Sequence, residues 1–379
     1  MVSWHYAVWR GGGRPAPGLV AGALRRAQPQ PPPPLPPIHI VLSACGNPSP
    51  REPEYFGLLA IKSLLMARAQ TPARASQAYS FHIVTDVSEE ELFGAFKLNF
   101  DVRRLVEAEP ALLSMHVYQA SAVEASVGEL GLPHASALPL TIFKSCAAAR
   151  LKIPFFLPSS VEKAIYLDWD TAVMCDLTEL WGGGFAALEA APGAVVGLAL
   201  NDPTGLSTKN TYRKDSLLNF PYPALGGVNS GVMLWHLGRI RESGLPQWWR
   251  AVTAVVARYD NLSTSEYWSL TKAFPLGDQD ILNVLLSKDF HPEWLHVIPS
   301  RYNSCLVDAL PPQWLEKAGI KREIPCIVHF CGSRLFQATM REDSFSGEPS
   351  VQDKASRALY DYLATYLILD SATADNHVV

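Results

Sequence analysis

The sequence predicts an α/β protein whose central sheet is mixed but mainly parallel, of the Rossmann-like type, with helices on its flanks. Short apolar runs rich in β-branched residues alternate along the chain with longer segments of helical periodicity, the pattern of parallel βαβ units. Each apolar run ends at polar or glycine residues, as a buried strand does where it opens into a loop. The 379 residues, 48% of them hydrophobic, are enough to bury a large core.

The first strands and helices set this alternation. Residues 38–42 form an apolar run that stops at a Ser-Ala-Cys-Gly-Asn segment, and residues 55–69 carry leucine and isoleucine at helical spacing. A second strand is predicted at 81–85, before a helix for which Ser88 suits the N-cap position and the acidic residues after it suit the helix dipole. A strand-helix-strand-helix order implies a parallel sheet.

The next predicted strand leads to a pair of aspartates. A helix is expected over 142–151, ending before Pro154, and residues 164–167 form a buried strand followed by the Asp-Trp-Asp segment at 168–170. Because side chains alternate along a strand, both carboxylates project to the same side. Open α/β sheets bind ligands beyond the carboxyl ends of their strands, and Mg²⁺ or Mn²⁺ prefers carboxylate oxygen. Asp-x-Asp alone is also common among solvated loop carboxylates.

The second half of the chain adds further strands and helices. A loop with glycine and asparagine at 226–231 precedes one strand, and His329 directly follows another. A helix opens at Asp278, and residues 354–369 have helical character. The additional strands are expected at 195–200, 232–234 and 326–328.

Composition and charge exclude several classes of function. The formal charge of −4 gives no electrostatic reason to expect a nucleic-acid partner. The six cysteines lack the paired spacing of a zinc site and are too few for a disulfide scaffold, so the redox compartment stays open. No run approaches the roughly 18 to 20 apolar residues of a membrane span, and no transmembrane segment is predicted. The glycosylation pattern at Asn261 leans weakly towards the secretory route.

Five motifs then occur in an order that is typical of one family of enzymes. Together they resemble glycosyltransferase family 8, and within that family most closely the glucoside xylosyltransferases. The resemblance covers residues 38–334. The motifs are KSCAAARLKIPFFL at 144–157, YLDWD at 166–170, GVNSGVML at 227–234, GDQDILN at 277–283 and HFCG at 329–332.

The resemblance implies a GT-A fold and a metal site. Carried over by position, the metal ligands are Asp168, Asp170 and His329, with Mn²⁺ or Mg²⁺ as the cofactor and a UDP-sugar as the donor. Neutral imidazole is a competent third ligand for Mn²⁺. Without the resemblance, His329 after a buried strand would be interpreted as a structural histidine.

The resemblance also implies residues that act on the donor sugar. Arg150 lies near the sugar and the phosphate in the family, Asn229 lines the sugar pocket, and Asp278 with Gln279 contacts the sugar from a helix start. Taken singly, these residues have simpler interpretations. Arg150 would be a surface helix cation, Asn229 a turn residue and Asp278 an N-cap.

Contacts with the nucleotide follow from the same carry-over. Ala44 and Cys45 fall where the family's first strand meets uracil. Trp169 is larger than the Thr, Ile or Ala that is usual in the metal motif. Arg334 follows the histidine where many members have Lys-Pro-Trp, and its guanidinium suits phosphate oxygen. The full predicted set is Ala44, Cys45, Arg150, Asp168, Trp169, Asp170, Gly332 and Arg334.

The chain is expected to divide into three parts. Residues 1–37 are rich in Gly, Arg, Ala and Pro and end in a polyproline tract, so we predict a disordered linker; docking of its PxxP segment in an SH3-type groove is the alternative. Residues 38–345 are expected to form the GT-A catalytic domain. Residues 346–379 would form a C-terminal helix and tail.

The predicted activity is retaining transfer from a UDP-sugar, with UDP-xylose as the best match, to a sugar hydroxyl such as that of a glucose-bearing glycan. The amide of Gln279, where double displacement would need a carboxylate nucleophile, favours front-face transfer. Two other functions stay open: a metal-dependent phosphoesterase, and a non-catalytic relative that binds nucleotide sugars or glycans. The resemblance points to the Golgi or the secretory lumen, with a cytoplasmic location left open.

Overall fold

A computed structural model describes ten stretches of the chain, which carry ten strands, eight α-helices and a short helical segment at 106–108. The described residues are 35–44, 56–69, 77–96, 106–128, 147–201, 222–223, 226–260, 274, 276–305 and 324–330. The strands are β1 (Ile38–Ala44), β2 (Tyr79–Thr85), β3 (Leu113–Gln119), β4 (Lys163–Leu167), β5 (Thr171–Val173), β6 (Val196–Leu200), β7 (Val228–His236), β8 (Leu295–Ile298), β9 (Ser304–Cys305) and β10 (Ile327–His329). The helices are α1 (Phe56–Ala69), α2 (Glu89–Phe96), α3 (Ala120–Gly128), α4 (Ile153–Phe156), α5 (Phe185–Ala190), α6 (Leu237–Ser243), α7 (Leu245–Asp260) and α8 (Asp278–Leu285).

The main sheet has seven strands in the order β3-β2-β1-β4-β7-β6-β8. The first four strands of this order are parallel, β7 is antiparallel to both of its neighbours, and β6 is parallel to β8. The predicted mixed, mainly parallel sheet is therefore confirmed. Because Leu42 of β1 pairs with Leu167 of β4, the carboxyl ends of these two strands lie side by side.

The central strands are buried on both faces. Ile40 and Ile165 belong to the core on one face, whereas Val41 and Tyr166, their neighbours in sequence, belong to the core on the other. On the second face, the indole nitrogen of Trp248 in α7 donates a hydrogen bond to a backbone carbonyl at 2.9 Å. Burial on both faces explains why the strands appear in the sequence as continuous apolar runs instead of alternating ones.

Helix α2 begins as its sequence predicts. The Ser88 hydroxyl accepts a hydrogen bond from the Glu91 N–H at 3.1 Å, and the Glu91 carboxylate accepts one from the Ser88 N–H at 2.9 Å. This reciprocal pair satisfies two N–H groups at the helix start and forms a capping box. The predicted N-cap is confirmed.

The helix predicted at 142–151 differs from the structure. Residues Ala147–Lys152 form a 3-10 helix, and α4 follows it with Pro154 inside its first turn; residues 142–146 lie outside the described part. Pro154 was expected to come after the end of a helix. A proline in the first helical turn gives up an N–H that would have no partner within the helix, so the residue begins a helix here.

Strand β7 is longer than predicted. The prediction placed residues 226–231 in a loop, but Val228 already belongs to the strand, and its neighbours up to Trp235 are buried. The pairing with β6 shifts its register between Leu198 and Ala199. This irregularity allows the glycine-containing segment to run inside the sheet, a position that local preferences of Asn, Ser and Gly do not predict.

A smaller sheet has the strand order β5-β10-β9. Strand β10 is antiparallel to β5 and parallel to β9. Cys175, just after β5, and Cys326, just before β10, form a disulfide with a Cα–Cα distance of 5.0 Å and a sequence separation of 151 residues. The two cysteines come together because β5 and β10 are neighbouring strands. The spacing of cysteines in the sequence does not predict this strand pairing.

Several predictions concern residues outside the described part. These are most of the 1–37 linker, the 346–379 helix and tail, and Asn261. The three-part division of the chain therefore stays a prediction. Among the described helices, none has the length and apolar character required to cross a membrane.

Candidate functional site

Asp168 and Asp170 lie in the turn between β4 and β5. They were expected on a strand, but β4 ends one residue earlier, and backbone contacts hold the turn instead. The Asp168 N–H donates to Gly231 O at 2.7 Å, the Asp168 carbonyl accepts from the Thr171 hydroxyl at 2.8 Å, and the Phe330 N–H donates to Asp170 O at 2.9 Å. The turn is thereby attached to both β7 and β10.

This turn brings the two aspartates to His329, the last residue of β10. The Nε2 atom of His329 lies 3.2 Å from Asp170 Oδ1 and 3.7 Å from Asp168 Oδ2. One ligand atom from each of the three residues lies within 4.8 Å of the others. Burial alone would lower the pKa of His329, but the charges of Asp170 and Asp168 outweigh it and raise that pKa. Two carboxylates and an imidazole form a donor set that fits Mn²⁺ or Mg²⁺.

Arg150 is buried beside this cluster and is not a surface cation. Its Nη2 lies 3.1 Å from Asp168 Oδ1, its Nε lies 2.7 Å from Asp278 Oδ2 in an ion pair, and its Nη1 donates to the Ser230 hydroxyl at 2.7 Å. The guanidinium also lies over the Tyr166 ring, 5.1 Å from its centre. Burial by itself would lower the pKa of Arg150, but Asp168 and Asp278 raise it above its ordinary value.

Asp278 and Gln279 begin helix α8 and face β7. The N-cap is Gly277, with a φ of 60°, so Asp278 is the first helical residue and not the cap that its sequence position allowed. Burial raises the pKa of Asp278 to about 7 against the opposing charge of Arg150. The side-chain oxygen of Gln279 accepts from the N–H of Ser230 at 2.9 Å and from its hydroxyl at 3.1 Å.

Asn229 is a buried strand residue and not part of a turn. Its side-chain oxygen accepts from the Gly231 N–H at 2.8 Å and from the Asn303 amide at 3.0 Å. Asn303 in turn lies 2.9 Å from the Nδ1 atom of His329. Sequence reasoning missed Asn303, because a single asparagine outside every motif has no signal that distinguishes it from a turn residue.

The structure brings most of the predicted site residues together. Ala44 is the buried last residue of β1, whose carboxyl end adjoins that of β4, and Trp169 is partly exposed in the turn between the aspartates. Cys45, Gly332 and Arg334 lie outside the described residues. Their predicted roles at the nucleotide therefore stay predictions.

The charges of the described site favour a cation. Arg150 contacts the carboxylates of Asp168 and Asp278, and the carboxylate of Asp170 lies 3.2 Å from Nε2 of His329. Grouped carboxylates in a partly buried site repel one another, and a divalent ion relieves that repulsion. The same ion would present positive charge to an anionic ligand such as a diphosphate.

Sequence comparison identifies the family of the chain. The sequence profile of glycosyl transferase family 8 matches residues 56–334. Human xylosyl- and glucuronyltransferase LARGE2 is 27% identical over 299 residues, which cover 77% of this chain and 35% of that protein. Glucoside xylosyltransferase 2 of Xenopus laevis is 31% identical over 173 residues, 43% of this chain and 35% of that protein. The chain thus spans about a third of the length of these curated relatives.

Solved structures share the fold. Mouse xyloside xylosyltransferase 1 aligns with a TM-score of 0.51 at 18% identity, covering 79% of this chain and 99% of that one. The galactosyltransferase LgtC, solved with donor and acceptor sugar analogs, aligns with a TM-score of 0.51 at 16% identity, covering 87% of this chain and 96% of that one. The predicted GT-A fold is confirmed. With the family profile matching most of its length, the chain belongs to glycosyl transferase family 8.

Proposed function

We propose that this chain is a retaining, divalent-metal-dependent glycosyltransferase that moves a sugar from a UDP-sugar to a sugar hydroxyl. The observation that carries the proposal is the meeting of Asp168, Asp170 and His329 beyond the carboxyl end of β4. In α/β sheets this is where nucleotide ligands bind. The family assignment supports the reaction class.

The buried network assigns a role to each charged side chain. Asp168, Asp170 and His329 would hold Mn²⁺ or Mg²⁺, which when bound supplies positive charge to the diphosphate of the donor. Arg150 orients Asp168 and Asp278 by its contacts with both carboxylates and offsets part of their negative charge. Preorganised charge of this kind stabilises a leaving diphosphate without reorganisation during the reaction.

We infer retention of configuration from the family resemblance, and the amide of Gln279 bears on the route by which the transfer occurs. Gln279 is an amide and is held against β7 by its contacts with Ser230, so this position offers no carboxylate nucleophile. We therefore propose front-face transfer, in which the bond between the anomeric carbon of the donor sugar and the diphosphate oxygen breaks as the acceptor hydroxyl attacks that carbon from the same face. The leaving diphosphate accepts the hydroxyl proton. Asn229 and Asp278 position the donor sugar for this step.

The proposed donor is UDP-xylose, and a glucose-bearing glycan is the proposed acceptor. Both curated relatives reported above are named as xylosyltransferases, and one is also named as a glucuronyltransferase. A pocket for xylose must reject the hydroxymethyl group of glucose, which steric exclusion achieves. UDP-glucuronate, UDP-glucose and UDP-galactose are therefore the competitors to test.

We also propose that the protein acts in the Golgi or another secretory lumen. The disulfide between Cys175 and Cys326 supports this location, because disulfides persist in oxidising compartments. Protection of the expressed protein from added protease in intact microsomes, and its loss after detergent, would test the proposal. Digestion without detergent would contradict it.

The function is tested by supplying Mn²⁺ and each of the four UDP-sugars with simple glucosides, and by measuring UDP release and sugar transfer. We expect UDP and a xylosylated glucoside of retained configuration, and loss of turnover in Asp170→Ala.

Free phosphate in place of UDP would favour the phosphoesterase. Binding of the donor without any product would favour the non-catalytic relative. Undiminished turnover in Asp170→Ala would refute the metal assignment.

A further inference from the structure

The side-chain amide of Asn303 is buried between His329 and Asn229, with 4% of the residue exposed. We propose that Asn303 is a positioning residue whose carbonyl holds His329 as the Nδ1–H tautomer and thereby presents Nε2 to the two aspartates. This inference rests on the proposed metal site. It identifies how the chain prepares one ligand before any ion binds.

The two ends of the Asn303 amide are distinguished by their contacts. The side-chain oxygen of Asn229 accepts from the backbone N–H of Gly231 at 2.8 Å, which identifies that atom as an oxygen. One end of the Asn303 amide lies 3.0 Å from this oxygen and 3.2 Å from the Asn229 carbonyl. Only an NH₂ group satisfies two acceptors, so the other end, which faces His329, is the oxygen.

The tautomer of His329 follows from this orientation. An amide oxygen only accepts hydrogen bonds, so the Nδ1 atom, 2.9 Å from Asn303 Oδ1, must carry a proton. In a neutral imidazole the lone pair is then on Nε2, the atom 3.2 Å from Asp170 Oδ1. Histidines that bind metals commonly donate their other ring N–H to a carbonyl or carboxylate, which fixes both tautomer and ring direction.

A glycine provides the space for the ring. A Cβ atom added to Gly231 would lie 2.1 Å from Cε1 and 2.4 Å from Nδ1 of His329, closer than any side chain permits. The ring therefore packs directly on the backbone of β7. The same glycine donates the hydrogen bond that orients Asn229, so one backbone position determines both the ring and the amide network.

Asn303 is held beside the strand that carries His329. The 3-10 turn Ser300–Tyr302 ends with the Asn303 N–H donating to the first residue of the turn at 3.0 Å. The Cys326 N–H donates to Arg301 O at 2.8 Å, which attaches this turn to the segment before β10. The amide and the imidazole are thus placed by adjoining backbone segments, a condition for a fixed contact.

A merely structural role for Asn303 predicts a different result. Two buried asparagines that satisfy each other's hydrogen bonds would stabilise the fold, and their loss would lower stability alone. A positioning role also changes the proton position on His329 and the affinity for metal. These two readouts separate the interpretations.

The test compares the wild-type chain with Asn303→Ala, Asn303→Asp and a matched control, Asn201→Ala. Asn201 is a partly buried asparagine whose amide likewise donates to two backbone carbonyls, those of Gly226 and Val228. Long-range proton–nitrogen NMR with nitrogen-15-labelled histidine, at a pH where the ring is neutral, identifies the protonated nitrogen. Calorimetric titration with MnCl₂ gives the affinity, and His329→Gln assigns the signal.

We expect the wild type to show the Nδ1–H tautomer. Asn303→Asp keeps an acceptor for Nδ1 but loses the two donations to Asn229, so it should keep this tautomer and be less stable. Asn303→Ala should show a mixture of tautomers and bind Mn²⁺ about 10- to 100-fold more weakly, the usual effect of removing such a contact. Asn201→Ala should match the wild type in both measurements. If the alanine variant does not fold, the wild-type spectrum and Asn303→Asp still decide.

An Nε2–H tautomer in the wild type, or unchanged tautomer and affinity in folded Asn303→Ala, would overturn the inference. Failure of the proposed function has a different signature. If the wild type binds no Mn²⁺, the metal site and this inference both fail. If the wild type binds Mn²⁺ and Asn303→Ala binds it equally well, only the positioning role fails.

Discussion

At the scale of single residues, Arg150 contacts two carboxylates through different nitrogen atoms. Its side chain is 9% exposed, and those of Asp168 and Asp278 are 14% and 4% exposed. Burying such charges costs desolvation free energy, and this cost is offset only while the oppositely charged side chain stays in place. Removal of the guanidinium would leave buried carboxylates without their compensating charge.

Arg150→Ala should therefore lower the free energy of unfolding by about 3–5 kcal/mol, the range for breaking a buried ion pair. Urea unfolding of the metal-free protein measures this. The control is Arg258→Ala, because the Arg258–Asp289 pair is 3.8 Å apart with both side chains substantially exposed; a change of about 0–1 kcal/mol is expected there. Adding Asp278→Asn to Arg150→Ala should recover part of the loss. Equal effects of the two arginine substitutions would contradict the prediction.

The sequence allowed prediction of some site residues and not of others. Asp168, Asp170 and His329 stand in motifs whose order is specific to a family, so their meeting could be expected. Asn303 could not be predicted, because its contact with His329 depends on the pairing of β9 and β10. The burial of Arg150 also depends on tertiary contacts, since a lone arginine in a short helical segment is equally compatible with solvent.

At the scale of elements, the small sheet connects the two segments that carry the proposed metal ligands. Asp170 immediately precedes β5 and His329 ends β10, and these strands are antiparallel. The disulfide between Cys175 and Cys326 joins the same two strands at their other ends. It therefore restrains the segments that carry the ligands.

The double substitution Cys175→Ser and Cys326→Ser should lower the unfolding free energy by about 2–4 kcal/mol, because the crosslink restricts the unfolded chain. It should also weaken Mn²⁺ binding. Chemical denaturation with and without dithiothreitol measures the first effect. The reductant should destabilise the wild type and leave the double variant unchanged; sensitivity of the double variant to reductant would place the effect at other cysteines.

A histidine pair on neighbouring strands makes stability depend on pH. His82 of β2 is 1% exposed, and its ring nitrogens lie 3.0 Å from His39 Nδ1 and 3.0 Å from the Tyr118 hydroxyl. Burial, followed by the charges of His39 and His116, lowers the pKa of His82 from 6.5 to about 3. The ring is thus neutral in the folded chain over a range where the unfolded chain binds a proton.

The free energy of unfolding carries the full contribution of neutral His82 above pH 6.5. Below that pH the unfolded chain binds a proton that the folded chain does not, so this contribution decreases and is lost near pH 3. The slope is at most about 1.4 kcal/mol per pH unit for one proton. Urea unfolding from pH 7.5 to 4.5 in steps measures it. His82→Gln should flatten the curve in this range, and an identical slope for the variant would show that other groups cause the dependence.

At the scale of the whole molecule, the site connects elements that are distant in the chain. The turn after β4, strands β7 and β10, and helix α8 each contribute side chains. Ligands that bind here should therefore stabilise the fold as a unit, because they bind the folded state and not the unfolded one.

Mn²⁺ and UDP should each raise the unfolding free energy by about 2.7 kcal/mol when present at a hundredfold excess over its own dissociation constant. Thermal unfolding with and without EDTA measures the shift. Asp170→Asn should remove the contribution of Mn²⁺. An equal shift for wild type and variant would mean that the ion binds elsewhere.

The sequence by itself determined the alternation of strands and helices, the capping of α2 and the order of the family motifs. These depend on local periodicity and on residue types at short spacing, which the chain displays directly. The tertiary structure decided that Asp168 and Asp170 lie in a turn, that β7 includes the glycine-containing segment, and that Cys175 pairs with Cys326. It also decided that Asn303 contacts His329. Each of these depends on which strands become neighbours, and contacts between segments that are separate in the chain leave no periodic pattern in the sequence.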